Sequence, residues 1–180
     1  MRFGLAWVRG QATATSRPGG NQAELTPLDE KLGEVLGLAQ AAQDATTKVA
    51  GMEGADEFQS RLEQMSQQAA ETERRVDELV DGFDGKKTAI REKAANTKSE
   101  AKEMMRTYLA EDEEALDGFE FLTMAEAGEL GHWEIVTTMS DTLGEAQIAQ
   151  LADWAVSVQR KHVDAVRESC LELAVSEAKG

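Results

Sequence analysis

The sequence is poor in the residues that cross-link a chain or interrupt its helices. It contains one cysteine, Cys170, so no disulfide can form within the chain and the fold has to rely on packing. Its two prolines, Pro18 and Pro27, both lie near the start, and no proline interrupts the chain after them. Aromatic residues make up only 5% of the chain, whereas helix-forming residues are plentiful. These features predict an all-α protein.

Long apolar runs and basic residues are also scarce. No apolar run approaches the roughly 20 residues of a membrane-spanning helix, so no membrane insertion is expected. The net charge is −15, and the three arginines of residues 1–23 have no acid beside them, which leaves −18 on the remainder. A surface this acidic repels phosphate backbones and argues against nucleic-acid binding. With its single cysteine, the chain is expected to be cytoplasmic.

The chain divides by composition into a short basic tail and one helical domain. Residues 1–25 are predicted to be a disordered tail, because the apolar stretch between Arg2 and Arg9 is shorter than a secretory signal needs. Residues 26–178 are predicted to form a single domain. Thr26 followed by Pro27 is typical of a helix start, since threonine caps the first turn and proline suits the first helical position.

Apolar residues recur at spacings of three and four in four long segments, at about 27–50, 55–81, 112–140 and 146–177. A more polar helix at about 87–109 connects the second and third of them, and we expect it to cover the bundle rather than fill it. Two helix pairs separated by a long connection predict a ferritin-like four-helix bundle with a crossover helix between helices two and three. A coiled-coil rod is the competing arrangement, but the apolar stripes are wider than its seam.

The side chains best suited to metal binding or proton transfer are predicted on the inward faces of the last two long helices. Glu129 and His132 are spaced i, i+3, which puts them on one helix face, and His162 lies within the apolar stripe of the last helix. Glu-x-x-His is the pattern that carboxylate-bridged two-metal bundles use. The same residues can instead form a buried hydrogen-bonded group without metal, and the spacing leaves both interpretations open.

Four segments of the chain resemble the YciE/YciF group of ferritin-like stress proteins. They are ETERRVDEL at 71–79, GKKTAIREKA at 85–94, AEAGELGHWEI at 125–135 and LELA at 171–174, and the resemblance spans about residues 28–175. It implies an up-and-down helical bundle with a crossover helix, a homodimer and a two-metal centre. The most specific part is the segment around Glu129 and His132.

The resemblance also implies a set of metal ligands. Glu129 and His132 match the ligands of the third long helix, Glu71 matches the glutamate of the second, and His162 falls at the ligand position of the fourth. The glutamate position of the first helix falls near Ala39 or Gln40, neither of which can supply a carboxylate.

The second helix also departs from the pattern, since the histidine expected there falls near Gln68. The first half of a two-metal site is therefore missing. The first hypothesis is a divergent ferritin-like protein with one asymmetric, mononuclear site for Fe, Mn or Zn, acting in stress or metal handling. The alternative is a non-catalytic helical interaction or stress protein with a degenerate metal site and a structural, buried Glu/His group. The case for an enzyme, a metal-dependent oxidoreductase, is weak.

Overall fold

The computed structural model describes residues 24–109 and 113–179, and all regular structure in these ranges is helical. Its helices are α1 (Pro27–Ala50), α2 (Gln59–Val80), α3 (Lys87–Tyr108), α4 (Ala115–Leu143) and α5 (Ala146–Glu177), and a 3-10 turn at Asp56–Phe58 leads into α2. The all-α prediction is confirmed, and the predicted breaks coincide with loops. Residues 1–23 of the predicted tail and the predicted helix start at Asp112 lie outside the described residues.

The start of α1 follows from its sequence. The backbone N–H of Asp29 donates to Thr26 Oγ1 at 3.2 Å, and the backbone N–H of Thr26 donates to Asp29 Oδ2 at 2.7 Å. This reciprocal capping, with Pro27 in the first turn, confirms the predicted helix start. Lys86 Nζ also donates to Asp29 Oδ2 at 2.7 Å, so the capping carboxylate ties the start of α1 to the loop before α3.

Four of the helices enclose the core. α1 packs against α2 and α4, and α5 packs against the same two helices. The contacts between α2 and α5 run in reverse order, since Arg61 contacts Ser169 whereas Gln68 contacts His162. α4 turns back into α5 through Gly144, whose φ of 73° is a left-handed conformation that suits glycine. α1 and α2 are also in reverse order, since Gln59 at the start of α2 contacts Ala50 whereas Glu73 contacts Gln40. The pairs α1–α2 and α4–α5 are therefore both antiparallel.

The connecting helix α3 lies parallel to α1 and very close to it. A Cβ atom on Gly33 would lie 2.8 Å from the carbonyl oxygen of Ile90, and one on Gly37 would overlap the carbonyl oxygen of Ala94. Glycines spaced by four along α1 thus let the two backbones approach. Ile90, Ala94 and Met105 are buried and join the apolar clusters, whereas the other side chains of α3 are at least partly exposed. The helix therefore covers α1 and adds three side chains to the core.

The substitution Gly37→Ala should lower the free energy of unfolding by about 1–3 kcal/mol, because the added methyl group forces α3 away from α1. Gly128→Ala is the matched control, since a Cβ there meets nothing within 4 Å and should raise stability by about 0.5–1 kcal/mol. Urea denaturation followed by circular dichroism measures both values. Equal stabilisation by the two alanines would contradict the close α1–α3 contact.

A buried polar layer separates two apolar clusters inside the bundle. One cluster contains Leu32 and Trp133, and the other contains Leu62 and Phe119. Buried or half-buried polar side chains lie between them, on α2, α4 and α5: Gln68, Thr72, Glu126, Glu129, Gln159 and His162. Two of the four predicted ligands, Glu129 and His162, lie in this layer.

None of the helices in the described ranges is long and apolar enough to cross a membrane.

Candidate functional site

The buried face of α4 differs from the predicted one by about one residue. We expected Glu129 and His132 to point inward, whereas the buried positions of this segment are Glu126, Glu129 and Trp133. Apolar residues occur nearly all round this helix, so its stripe is poorly defined by sequence. Packing selects the face that buries the large indole ring of Trp133. Glu126 consequently enters the core, and His132 leaves it.

His162 lies at the centre of the polar layer, as predicted, with both ring nitrogens occupied. Its Nδ1 lies 3.1 Å from Glu126 Oε2 on α4, and its Nε2 lies 2.7 Å from the side-chain oxygen of Gln68 on α2. His162 is 3% exposed and Glu126 is 2% exposed. The imidazole thus links α2, α4 and α5 inside the bundle, and no nitrogen lone pair points to open space.

Glu129 is buried close to this group but lacks its own ionic partner. Its Oε1 has no hydrogen-bond partner among the described residues, and neither have Trp133 Nε1 and Gln159 Oε1. Burial raises the pKa of Glu129 to about 8, and the negative charge of Glu126 adds to the effect. The side chains of Gln159 and Trp133 favour the ionised form but do not offset burial. Glu129 is therefore a buried carboxyl group with no ionic partner and one unpaired oxygen.

His132 belongs to a different environment from Glu129, although the two are one turn apart. Its Nδ1 lies 3.2 Å from Glu34 Oε2 on α1, and its side chain is 30% exposed. Glu34 also pairs with Lys31 and with Lys93 of α3. Burial lowers the pKa of His132, and Lys31 and Lys93 add to this against the opposing charge of Glu34. The two residues of the Glu-x-x-His motif thus face different neighbours.

Glu71 lies on the surface of α2 in an ion-pair network with Arg74 and Arg75. Hydrogen bonds from these two arginines lower the pKa of Glu71 to about 2. Its carboxylate is therefore paired with two guanidinium groups on the surface. Across residues 24–109 and 113–179, no group of three or more His, Cys, Asp or Glu side chains could hold a metal ion. The predicted ligands Glu129, His132, His162 and Glu71 do not converge, so these residues do not fit a metal centre.

Three residues outside the predicted ligand set make these contacts, namely Glu34, Gln68 and Glu126. Glu126 could have been found, since it precedes Glu129 by three residues and shares its face. Gln68 occupies the position where the resemblance places a histidine, and it contacts His162 directly. Glu34 carried no signal, because its contact with His132 depends on how α1 and α4 pack.

A groove between α1, α3 and α4 leads to the polar layer. It encloses a cavity of about 360 Å³, with Glu126 and Glu129 in its wall. The rest of the lining is largely apolar and comes from all three helices; it includes Leu38, Ala41, Ala45, Met105, Phe121 and Ala125. Met104 and Met124 also line the groove and are 44% and 43% exposed. The groove thus joins an apolar surface to two buried carboxyl groups.

Comparisons with known proteins give no match. No family model matches this chain, and no curated protein or solved structure matches it either. The resemblance to ferritin-like proteins therefore stays a prediction. Function has to be inferred from the polar layer and the groove, because a helical fold by itself hosts many functions.

Proposed function

We propose that this protein is a non-catalytic, ferritin-like helical bundle that binds an apolar molecule in the groove between α1, α3 and α4. The observation that supports this most is the groove itself. It is open at the surface, where Met104 and Met124 are exposed, and offers a volume of about 360 Å³. Ligand sites typically have this size, an apolar lining and a small number of polar groups.

The order of the helices supports the ferritin-like part of the proposal. The antiparallel pair α1–α2 is followed by α3, which returns along α1, and then by the antiparallel pair α4–α5. Ferritin-like bundles have one long connection of this kind. The Glu-x-x-His segment of α4 is a sequence pattern that also occurs in ferritin-like bundles.

The chemistry of the polar layer supports a structural role rather than catalysis. Both ring nitrogens of His162 form hydrogen bonds, one with Glu126 and one with Gln68. Glu71 is held by two arginines on the surface. Buried polar groups that satisfy one another lock helices in one arrangement, a role that needs no metal.

Binding of the neutral apolar dye N-phenyl-1-naphthylamine tests this function, because its fluorescence rises in an apolar site. We expect saturable binding to the native protein and at least a tenfold loss in Ala101→Trp, which fills the groove from α3. Ala127→Trp is the matched control, since Ala127 is exposed on α4 and does not line the groove. Equal binding by both variants would place the dye elsewhere and reject the proposal.

A transition-metal protein is the second candidate, and one observation favours it. Glu129 Oε1 lacks a partner, and the pair Glu34–His132 lines the same groove. Elemental analysis of protein purified without chelator or affinity tag decides between the candidates. We expect far less than one metal per chain, whereas about one Fe, Mn or Zn per chain would support the metal candidate.

A further inference from the structure

We propose that the ligand of the groove is a small organic cation, an amine carried on an apolar body, whose ammonium group binds the carboxylate of Glu129. This inference rests on the proposed function, because it names the ligand class of the same groove. It depends on the geometry of the inner wall, on the lining of the rest of the cavity and on the charges at its rim.

The inner wall contains one carboxyl group that has no ionic partner and one unpaired oxygen. Glu126 and Glu129 both line the cavity and are 2% and 3% exposed. Glu126 is committed to His162 through Oε2 at 3.1 Å, whereas Glu129 Oε1 has no partner among the described residues. The neighbouring Gln159 Oε1 is a second buried acceptor without a donor.

A buried carboxyl oxygen without a donor is costly, and a cationic donor removes that cost. An ammonium group supplies N–H donors and a full positive charge, so it can pair with Glu129 Oε1 and favour the ionised form of the carboxyl group. Charge-assisted hydrogen bonds of this kind are shorter and stronger than neutral ones. The inner wall is therefore complementary to an alkylammonium group and repels an anion.

The remaining lining determines the body of the ligand. Met105, Phe121 and alanines of α1 and α4 provide an apolar surface, and methionine side chains adapt to ligands of irregular shape. A volume of about 360 Å³ is at the lower end for drug-sized ligands. An alkyl or aryl chain of moderate length fits this description better than a peptide helix does.

The cations at one end of the groove do not change this preference. Lys31 and Lys93 share the single carboxylate of Glu34, and three further glutamates line the groove, Glu100, Glu126 and Glu129. The lining therefore contains more carboxyl groups than lysines. The chain as a whole carries a net charge of −15, which raises the local concentration of cations around it. Both the local and the overall charge thus favour a cationic ligand.

Calorimetric titration with octylammonium, octanol and octanoate tests the ligand class with three probes that share one apolar chain. At pH 8.5 Glu129 is largely ionised and an alkylammonium group, like lysine, is still charged. We expect octylammonium to bind at least about 10-fold more tightly than octanol, and octanoate to bind most weakly.

Glu129→Gln should reduce the preference for octylammonium over octanol to about one, while octanol still binds. Retained octanol binding also reports that the variant has folded with an intact groove. Glu120→Gln is the matched control, since Glu120 is exposed on the same helix, and it should keep the preference.

The outcomes separate the inference from the proposed function. Native protein could bind octylammonium and octanol equally well and lose both in Ala101→Trp. That result would reject the cationic ligand but support the binding of apolar molecules in the groove. A preference for octylammonium that persists in Glu129→Gln would also contradict the inference, because a group other than Glu129 would then bind the ammonium. No binding of any of the three probes would reject both the inference and the proposed function.

Discussion

Replacing His162 with leucine should lower the free energy of unfolding by about 3–5 kcal/mol. The substitution leaves the carboxylate of Glu126 buried without the imidazole that lies 3.1 Å from it, and it also deprives Gln68 of its contact. An unpaired buried charge carries its whole desolvation cost, whereas a small change in apolar volume costs less. Urea denaturation of native protein and variant measures the difference.

An exposed pair between the same two helices is the matched control. Arg160 and Glu134 lie 3.2 Å apart with side chains 64% and 52% exposed, so Arg160→Leu should cost less than about 1 kcal/mol. The double variant His162→Leu with Glu126→Leu should cost less than the sum of its single variants, since it removes both members of the pair. Additive costs would mean that the two side chains do not depend on each other.

Raising the pH from about 5 to about 8 should destabilise the protein through Glu129. The pKa of this group is about 8 in the folded chain and 4.5 as the reference, so the folded state holds its proton through that window while the unfolded state has lost it. Stability falls wherever the folded state binds more protons, by at most about 1.4 kcal/mol per pH unit for one group. Denaturation at pH 5, 6, 7 and 8 gives the slope.

Glu129→Gln should flatten this dependence, because the amide does not titrate. Two other carboxyl groups, Asp29 and Glu34, have pKa values below their usual range, so their contribution is lost only under more acidic conditions. The lowered pKa of His132 makes stability rise as the pH increases toward 6.5, opposite to the effect of Glu129. The comparison with Glu129→Gln removes this background. Parallel curves for the two proteins would show that Glu129 does not hold a proton in the folded state.

The sequence alone was enough to locate the helices. The first helix starts where Thr26 and Pro27 predict it, and a glycine-containing stretch separates α4 from α5 where the chain turns at Gly144. These features are local, since a cap or a turn depends on residues that are neighbours in the chain. The inward position of His162 was predicted for a similar reason, because α5 has a well-defined apolar stripe around it.

The tertiary structure decided which side chains meet. Helical spacing orders residues around one axis, but the rotation of α4 about that axis depends on all the helices it packs against. That rotation buries Glu126 with His162 and directs His132 to Glu34. The packing of α2 leaves Glu71 on the surface. The groove likewise exists only because α3 and α4 pack on different sides of α1. The sequence thus determined the helices and their polar residues, whereas packing between distant segments determined the site they form.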